Sequence, residues 1–403
     1  MEATGLIVEY NPFHNGHVYH IKEAKKATNA NCTIAVMSGS FLQRGEPAII
    51  DKYHRTKAAL KSGIDIVLEL PYAFAVQNSD IFAHGAVLTL HEIGVSSICF
   101  GSESGRISPF LNSYKTYIDK NDLFNTALKM GLAEGKSFPE ASRDAYQKIE
   151  LTSGEIDLSK PNNILGFSYV KAILNNGLPI EPITIKRTNN NFHDQTISSD
   201  IASATSIRKR LIEHDVLEAK TEQTMPKETA VQLQAYKNTA SFWHHWELYF
   251  PILHYRVMTM STEELAMIHG VDEGLEHRIK KTAIEATSFN QWVTMIKTKR
   301  YTWTRIQRLF VHLLTNTTKA EIATFIKLPS VPYVRVLGLN QTGQHYLNKR
   351  KKEMEIPILS NIKRNAPPLL KLEERASNAY YSVLSPEARI QAIKQEFKGP
   401  VIN

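Results

Sequence analysis

Over the first hundred residues, short apolar runs alternate with stretches whose apolar positions recur every three to four residues. The apolar runs are Thr4–Val8, Cys32–Met37, Ile64–Leu70 and Val95–Phe100, each of strand length. Between them lie helical patterns over Asn15–Thr28, Asp51–Lys61 and Ser79–Ile93, the last with Ser79 as a candidate cap. Gly63 and Gly94 stand where helices stop, and Pro71 closes the third run. Strands alternating with helices of this length predict βαβ units and a parallel sheet.

From about Ser108 to Asn175 the pattern is helical, broken at Gly131, Gly135, Pro139 and Pro161. Ile180–Lys186 restores a strand, and Ser203–Glu213 opens another helix. Residues 1–215 are therefore expected to form one Rossmann-like α/β domain carrying a helical insertion. The polar segment Glu218–Glu228 reads as a linker, and Leu233–Phe325 is rich in helical periodicity. Residues 216–403 are expected to form a mainly α second domain, with room for a strand in the Pro-containing piece Leu328–Leu339.

Length and composition fit this division. The chain has 403 residues, 42% of them hydrophobic and 22% charged. That excludes a disordered chain, a fibre and a disulfide-stapled miniprotein. Cys32 and Cys99 sit far apart in apolar runs with no CxxC, which predicts two buried thiols and no cysteine-based zinc site. No run approaches eighteen apolar residues, so no membrane span is expected. Glu2 and Glu9 flank a short apolar run, unlike a signal peptide, and a cytoplasmic location is expected. The net charge of +8 is unevenly placed. Sixteen basic residues and five acids between Lys297 and Arg375 give +11 there and leave −3 elsewhere. A polyanionic partner would meet the C-terminal half.

The candidate chemistry lies in Glu9-Tyr10-Asn11-Pro12-Phe13-His14-Asn15-Gly16-His17, between the first strand and the first helix. Free backbone N–H groups and the helix dipole at that point would favour an anion, and Gly16 would allow a phosphate close to the backbone. His14 and His17, at i and i+3, lie on one helical face and could both serve charge growing on an α-phosphate. The plainer reading is that they cap and pack. Ser203-Ala204-Thr205-Ser206-Ile207-Arg208 opens a later helix, where it could hold the outer phosphates or act simply as a cap. In Gln43-Arg44-Gly45-Glu46-Pro47, Arg44 could attract an anion or pair with Glu46. Ser241-Phe242-Trp243-His244-His245-Trp246 reads as a helix packed into a core, without metal ligands.

The His14–His17 stretch resembles the HxGH signature of the nucleotidylyltransferase superfamily. GLIVEYNPFHNGH, AVMSGSFLQRGEPAI, LELPYAFAVQNSDIFAHGAV, CFGSES, PNNILGFSYVKAI and IKRTNNNFHD resemble, in order, successive blocks of the bacterial tRNA(Met) cytidine acetate ligase family. The resemblance implies that ATP activates acetate as acetyl-adenylate, releasing pyrophosphate. The acetyl group then passes to N4 of the wobble cytidine, position 34, of elongator tRNA(Met). It implies catalytic roles for His14 and His17 within a nucleotide loop of Ile7, Val8, Glu9, Tyr10, Asn11, Pro12, Phe13, His14, Asn15, Gly16, His17, Val18, Tyr19 and His20. It further implies ATP contacts at Gly101, Asn162, Arg187 and Thr188. Magnesium would arrive with ATP, held by phosphates and water. The +11 stretch would face tRNA, densest at Lys349-Arg350-Lys351-Lys352 and Lys363-Arg364, with Tyr346 and Tyr301 as possible stacking residues. No membrane and no protein partner are expected. A small-molecule nucleotidyltransferase would use the same loop but leave the basic half without a purpose. A non-enzymatic RNA-binding protein would not need His14, Gly16 and His17 intact.

Overall fold

Alternate side chains of the central strands divide between two apolar layers, which fixes the sheet between helices on both faces. Ile34 and Val36 join one buried cluster with Ile66, Leu68 and Leu70, while Ala35 and Met37 join the other with Val67, Ile21 and Ala59. The computed structural model describes residues 1–153, 156–187, 202–362 and 367–403. Its strands are β1 (Ala3–Val8), β2 (Cys32–Ser38), β3 (Ile66–Leu70), β4 (Ser97–Ser102), β5 (Glu181–Lys186), β6 (Val334–Leu339), β7 (Ile358–Leu359) and β8 (Val401–Ile402). They lie in the order β5-β4-β1-β2-β3-β6-β7, with β8 on β6.

The first five strands are mutually parallel, in registers such as Ala3↔Cys32, Ile34↔Ile66, Thr4↔Ser97 and Ser97↔Glu181. The chain winds from β1 to β2 and β3 on one side, then returns to β4 and β5 on the other. The strand order therefore reverses between β1 and β4, where open sheets of this class form a crevice at the carboxyl ends. The expected α/β fold is present.

The connecting helices follow the sequence pattern closely. Asn15–Thr28 and Ser79–Ile93 have the expected bounds, although Asn78 rather than Ser79 caps the second, its Oδ1 accepting from the amides of Asp80 and Ile81. Asp51 caps Lys52–Lys61. Three helices, Ser108–Asp119, Asn121–Ala133 and Phe138–Lys148, form the insertion between β4 and the helix Pro161–Asn175. None of the described helices is long and apolar enough to cross a membrane.

Beyond residue 215 the chain is mainly helical, and it also completes the sheet. β6 pairs antiparallel to β3, placing Arg335 opposite Glu69. Both are buried, with Lys52 and Glu396. Lys52 Nζ lies 2.6 Å from Glu69 and 2.9 Å from Glu396, and Arg335 lies 2.7 Å from Glu69 and 2.8 Å from Glu396. Glu373 lies close by and accepts from the Tyr72 amide; burial and the charge of Glu69 push its carboxyl well above the usual range. Two cations thus face the carboxyl groups of Glu69 and Glu396, with the carboxyl of Glu373 beside them.

One expected element is different. Ser241–His245 is not helical; it bridges the helices Lys227–Ala240 and Trp246–Thr259. Its burial is as expected: Trp243 and His244 are buried, and His244 stacks on Tyr380 at 3.9 Å between the hydroxyls of Tyr236 and Tyr249. These ring–hydroxyl bonds organise the turn where a helix would have used backbone bonds.

Candidate active site at the carboxyl ends of β1 and β4

His14 and His17 form a reciprocal cap on the first helix. The His14 amide donates to Nδ1 of His17 at 3.1 Å, and Nδ1 of His14 accepts from the Gly16 amide at 3.0 Å. This is a capping box in which both side chains are imidazoles. The rings stack with centroids 3.8 Å apart. A ring nitrogen that accepts cannot carry a proton, so each neutral ring bears its hydrogen on Nε2. The cap therefore selects one tautomer in both residues and turns two N–H donors away from the helix backbone.

That arrangement corrects the expected source of the anion site. The first amides of the helix are already committed: Asn15 donates to Thr224 O at 3.0 Å, Gly16 to His14 Nδ1, and His17 and Val18 to His14 O at 2.8 and 3.3 Å. The sequence stretch thus presents imidazole donors where free backbone N–H groups were expected. Thr224 and Gln223 close the end of the helix, since Asn15 Nδ2 also donates to Gln223 O. That long-range closure has no signature in the local sequence.

Ile7 and Val8 end β1 and lead into the loop. Tyr10 has φ of 50°, a left-handed conformation uncommon for an aromatic residue. Its buried ring lies edge-on to Phe13 and His17, which holds it there. Asn11 accepts from the Ile49 amide at 2.7 Å, tying the loop to the segment after β2. Arg55, also buried, donates to the carbonyls of Glu9 at 2.8 Å, Ser38 at 2.9 Å and Gly39. One guanidinium thereby fixes the carboxyl ends of β1 and β2 together. Arg55 and its role were missed in the sequence, where it is one basic residue on a basic helix.

Arg187 brings positive charge to the site. It follows β5, and its amide donates to Ser102 O at 3.0 Å. Burial first, then the charges of Arg187 and Arg208, lower the pKa of His14 to about 3. Burial and its neighbours His14, His20 and Arg187 hold His17 well below the usual histidine range, and burial and Arg187 lower His20 to about 4. Gly101 on β4 meets the Arg187 side chain: a Cβ there would lie 2.9 Å from Arg187 Cγ. Asn162 Nδ2 donates to Glu103 Oε1 at 3.2 Å, and the Glu103 charge acts on Arg187. Glu103, in the quoted CFGSES block, was not singled out from sequence. Val18 and Tyr19 continue the helix, Val18 exposed. Thr188 lies outside the described residues.

Ser203 caps the helix Ala204–His214, accepting from the Ser206 amide at 3.1 Å. From that helix Arg208 reaches the loop, donating to Asn11 O at 3.0 Å and to Glu46 Oε2 at 2.9 Å. Glu46 thus pairs with Arg208, where sequence proximity suggested Arg44. Glu9 accepts from the Gln43 amide at 2.8 Å; burial raises its carboxyl pKa against that bond. The described residues include no group of three or more His, Cys, Asp or Glu able to hold a metal.

The basic stretch does not form one face. Arg335 is in the core. Lys349–Lys352 lies at the end of the helix Gln341–Arg350, which starts beside Asp65, at the amino end of β3. Arg350 lies over Gly94, just before β4, and pairs with Glu353. This cluster is therefore at the opposite edge of the sheet from His14. Tyr346 is buried, its hydroxyl donating to the carbonyls of Ile93 and Gly94, and is a packing residue. Tyr301 remains partly exposed under the guanidinium of Arg305, 5.0 Å away. Lys363 and Arg364 lie outside the described residues.

Residues 1–396 match the family model described as HIGH Nucleotidyl Transferase. The tRNA(Met) cytidine acetate ligase of Oceanobacillus iheyensis is 55% identical over 402 residues, covering 100% of both chains. That of Bacillus subtilis is 43% identical over 400 residues, covering 98% of this chain and 96% of its own. The apo crystal structure of Thermotoga maritima TmcAL superposes with a TM-score of 0.91 at 32% identity, covering 100% of this chain and 99% of that one. A second crystal form of that protein, bound with alpha-thio ATP, gives 0.88 at 31% identity, with the same coverage. The chain belongs to the HIGH nucleotidyl transferase family and, within it, to the tRNA(Met) cytidine acetate ligases.

Proposed function

We propose that this chain is an ATP-dependent ligase that forms acetyl-adenylate and transfers the acetyl group to N4 of the wobble cytidine of elongator tRNA(Met), giving N4-acetylcytidine. The observation that carries the reading is the pair of Nε2–H donors fixed by the His14–His17 cap, flanked by Arg187 and Arg208 at the point where the strand order reverses. ATP lies along the loop from Ile7 to His20, with Gly101, Asn162, Arg187 and Thr188 as further contacts. An acetate oxygen attacks the α-phosphorus and pyrophosphate leaves. The two imidazoles donate to the α-phosphate oxygens as their charge grows, and Arg208 stabilises the leaving pyrophosphate. Cytidine N4 then attacks the acetyl carbon, losing a proton as AMP departs.

The positive field favours this chemistry. Burial, with Arg187 acting on both rings and Arg208 on His14, discourages protonation of the histidines in the free protein, and the negative charge of a bound triphosphate opposes the arginines. Magnesium arriving with ATP would neutralise phosphate charge without needing a cluster of protein ligands. Residues 1–215 carry the nucleotide chemistry and residues 216–403 most of the tRNA contact, in the cytoplasm. The test of the activation step is exchange of labelled pyrophosphate into ATP. Exchange that requires acetate is expected. Exchange that ignores acetate but requires a phosphorylated metabolite would favour a small-molecule nucleotidyltransferase.

A further inference from the structure

Acetyl transfer releases one proton from cytidine N4, and the capped histidines are not placed to take it. Nδ1 of His14 accepts from the Gly16 amide and Nδ1 of His17 from the His14 amide, so each neutral ring offers a ligand only its N–H. A protein group that accepts this proton must lie elsewhere at the carboxyl ends of the strands. Other acids described at this edge are engaged. Glu46 pairs with Arg208 at 2.9 Å and Asp80 with Lys171 at 3.0 Å, while Glu103 accepts from Asn162 Nδ2 at 3.2 Å.

Glu9 is different. It is the first residue after β1, and its main-chain oxygen accepts from Arg55 at 2.8 Å. Its Oε1 accepts from the Gln43 amide at 2.8 Å, whereas its Oε2 has no hydrogen bond or ion pair among the described residues, and the residue is partly exposed. The turn that supplies the Gln43 amide is itself fixed. Leu42 donates to Glu46 O at 2.9 Å and Gly45 to Leu42 O at 2.8 Å, which closes the turn. Gln43 Nε2 donates to Gln77 O at 2.8 Å, and Trp246 Nε1 to Gly45 O at 2.9 Å. The helix Trp303–Leu314 packs on the same turn: a Cβ on Gly45, whose φ is +79°, would lie 2.4 Å from the Arg308 amide nitrogen. Arg208 joins the turn to the nucleotide loop a second time, through Glu46 and Asn11 O. Glu9 is thus held at its carbonyl and at one carboxylate oxygen, and the other oxygen is left for a ligand.

We propose that Glu9 is the general base of acetyl transfer, its unengaged Oε2 taking the proton of cytidine N4. The N4 lone pair forms the bond to the acetyl carbon, and the bond from that carbon to the phosphate oxygen breaks. AMP leaves with that electron pair, and the N4 proton passes to Glu9. Glu9 and His14 stand at the two ends of one loop, where the strand order reverses, so a single segment holds both the base and the donors to the α-phosphate. Burial raises the Glu9 carboxyl pKa and the Gln43 amide opposes it; Glu46, Arg44 and Arg208 also act on it, and its own charge acts on Tyr169. A raised value moves a carboxylate toward the working pH, where a general base is most effective. This role rests on the proposed tRNA reaction.

The test uses Glu9→Gln, which keeps an acceptor for the Gln43 amide but removes the basic oxygen. Protein charged with ATP and acetate is mixed with tRNA, and N4-acetylcytidine is followed through a single turnover. Acetate-dependent exchange and thermal unfolding are measured beside it. Transfer should fall by about 10²–10⁴, and by at least about tenfold more than exchange. In the unsubstituted protein the transfer rate should decline as the pH is lowered from about 8 to about 5, and Glu9→Gln should lose that dependence. Equal losses of transfer and exchange would overturn the proposal and confine Glu9 to the nucleotide site. So would undiminished transfer, which would leave the proton to the phosphate of the departing AMP. If Glu9→Gln does not fold, a transfer rate independent of pH in the unsubstituted protein overturns it. Exchange without any N4-acetylcytidine in the unsubstituted protein would defeat the proposed tRNA reaction itself, and this role with it.

Discussion

The amide of His14 is held by Nδ1 of His17, while Nδ1 of His14 holds the amide of Gly16. Capping occupies Nδ1 of each ring, and the proposed catalysis uses the opposite nitrogen. His14→Ser separates the two roles, because serine is a strong N-cap but offers no imidazole donor. Its unfolding free energy should stay within about 1 kcal/mol of the unsubstituted protein. Adenylate formation, read by acetate-dependent exchange, should fall by about 10²–10³. A large loss of stability with little loss of rate would reduce His14 to a cap.

The tautomers can be read directly. Protonating either ring requires Nδ1 to take a hydrogen and surrender its amide bond. Burial first, then the charges of Arg187 and Arg208, hold the pKa of His14 at about 3. Burial with the neighbouring His14, His20 and Arg187 holds that of His17 well below the usual range. Because these folded-state values lie below those of the unfolded chain, protonation favours unfolding. The stability they contribute is complete above about pH 6.5 and is lost as the pH falls. Nitrogen-15 NMR of the ligand-free protein should show Nε2–H in both rings, with no titration between pH 7.5 and about 5.5. Midpoints near 6.5 would contradict the cap.

Gly101 tests the relation of β4 to Arg187. A Cβ at 2.9 Å from Arg187 Cγ must move that flexible side chain. Gly101→Ala should weaken ATP binding by about tenfold, corresponding to about 1.4 kcal/mol, with the fold retained. Isothermal titration with ATP and circular dichroism measure the two parts. Unaltered affinity would remove Arg187 from the nucleotide site.

Arg335 tests how the two halves are joined. Arg335→Met leaves Glu69 and Glu396 with Lys52 alone in a buried setting. Denaturant unfolding should show a loss of about 3–5 kcal/mol. A loss below 1 kcal/mol would mean that the neighbouring carboxylates accept protons or water without penalty.

The first four parallel strands and the loop after β1 were legible because their apolar runs are largely buried and end at recognisable turns, while β5, at the sheet edge, is only partly buried. β6 was harder to place. Its local pattern permits a strand, but its pairing with β3 depends on Arg335 meeting Glu69, an interaction between residues far apart in sequence. The histidine pair was legible as a motif, whereas its capping role was not, since the reciprocal bonds depend on side-chain rotamers. Counting charge along the chain located the basic half correctly but could not tell one edge of the sheet from the other. Hence Lys349–Lys352 and Arg308, counted together, stand at opposite edges. Tyr346 looked suited to stacking on a base, yet the carbonyls of Ile93 and Gly94 hold it inside.

The most direct test of the central claim is nucleoside analysis of tRNA incubated with the protein, ATP and isotopically labelled acetate. The account predicts labelled N4-acetylcytidine at position 34 of elongator tRNA(Met), dependent on ATP and strongly reduced in His14→Ser. ATP consumption with no label in any cytidine would contradict it.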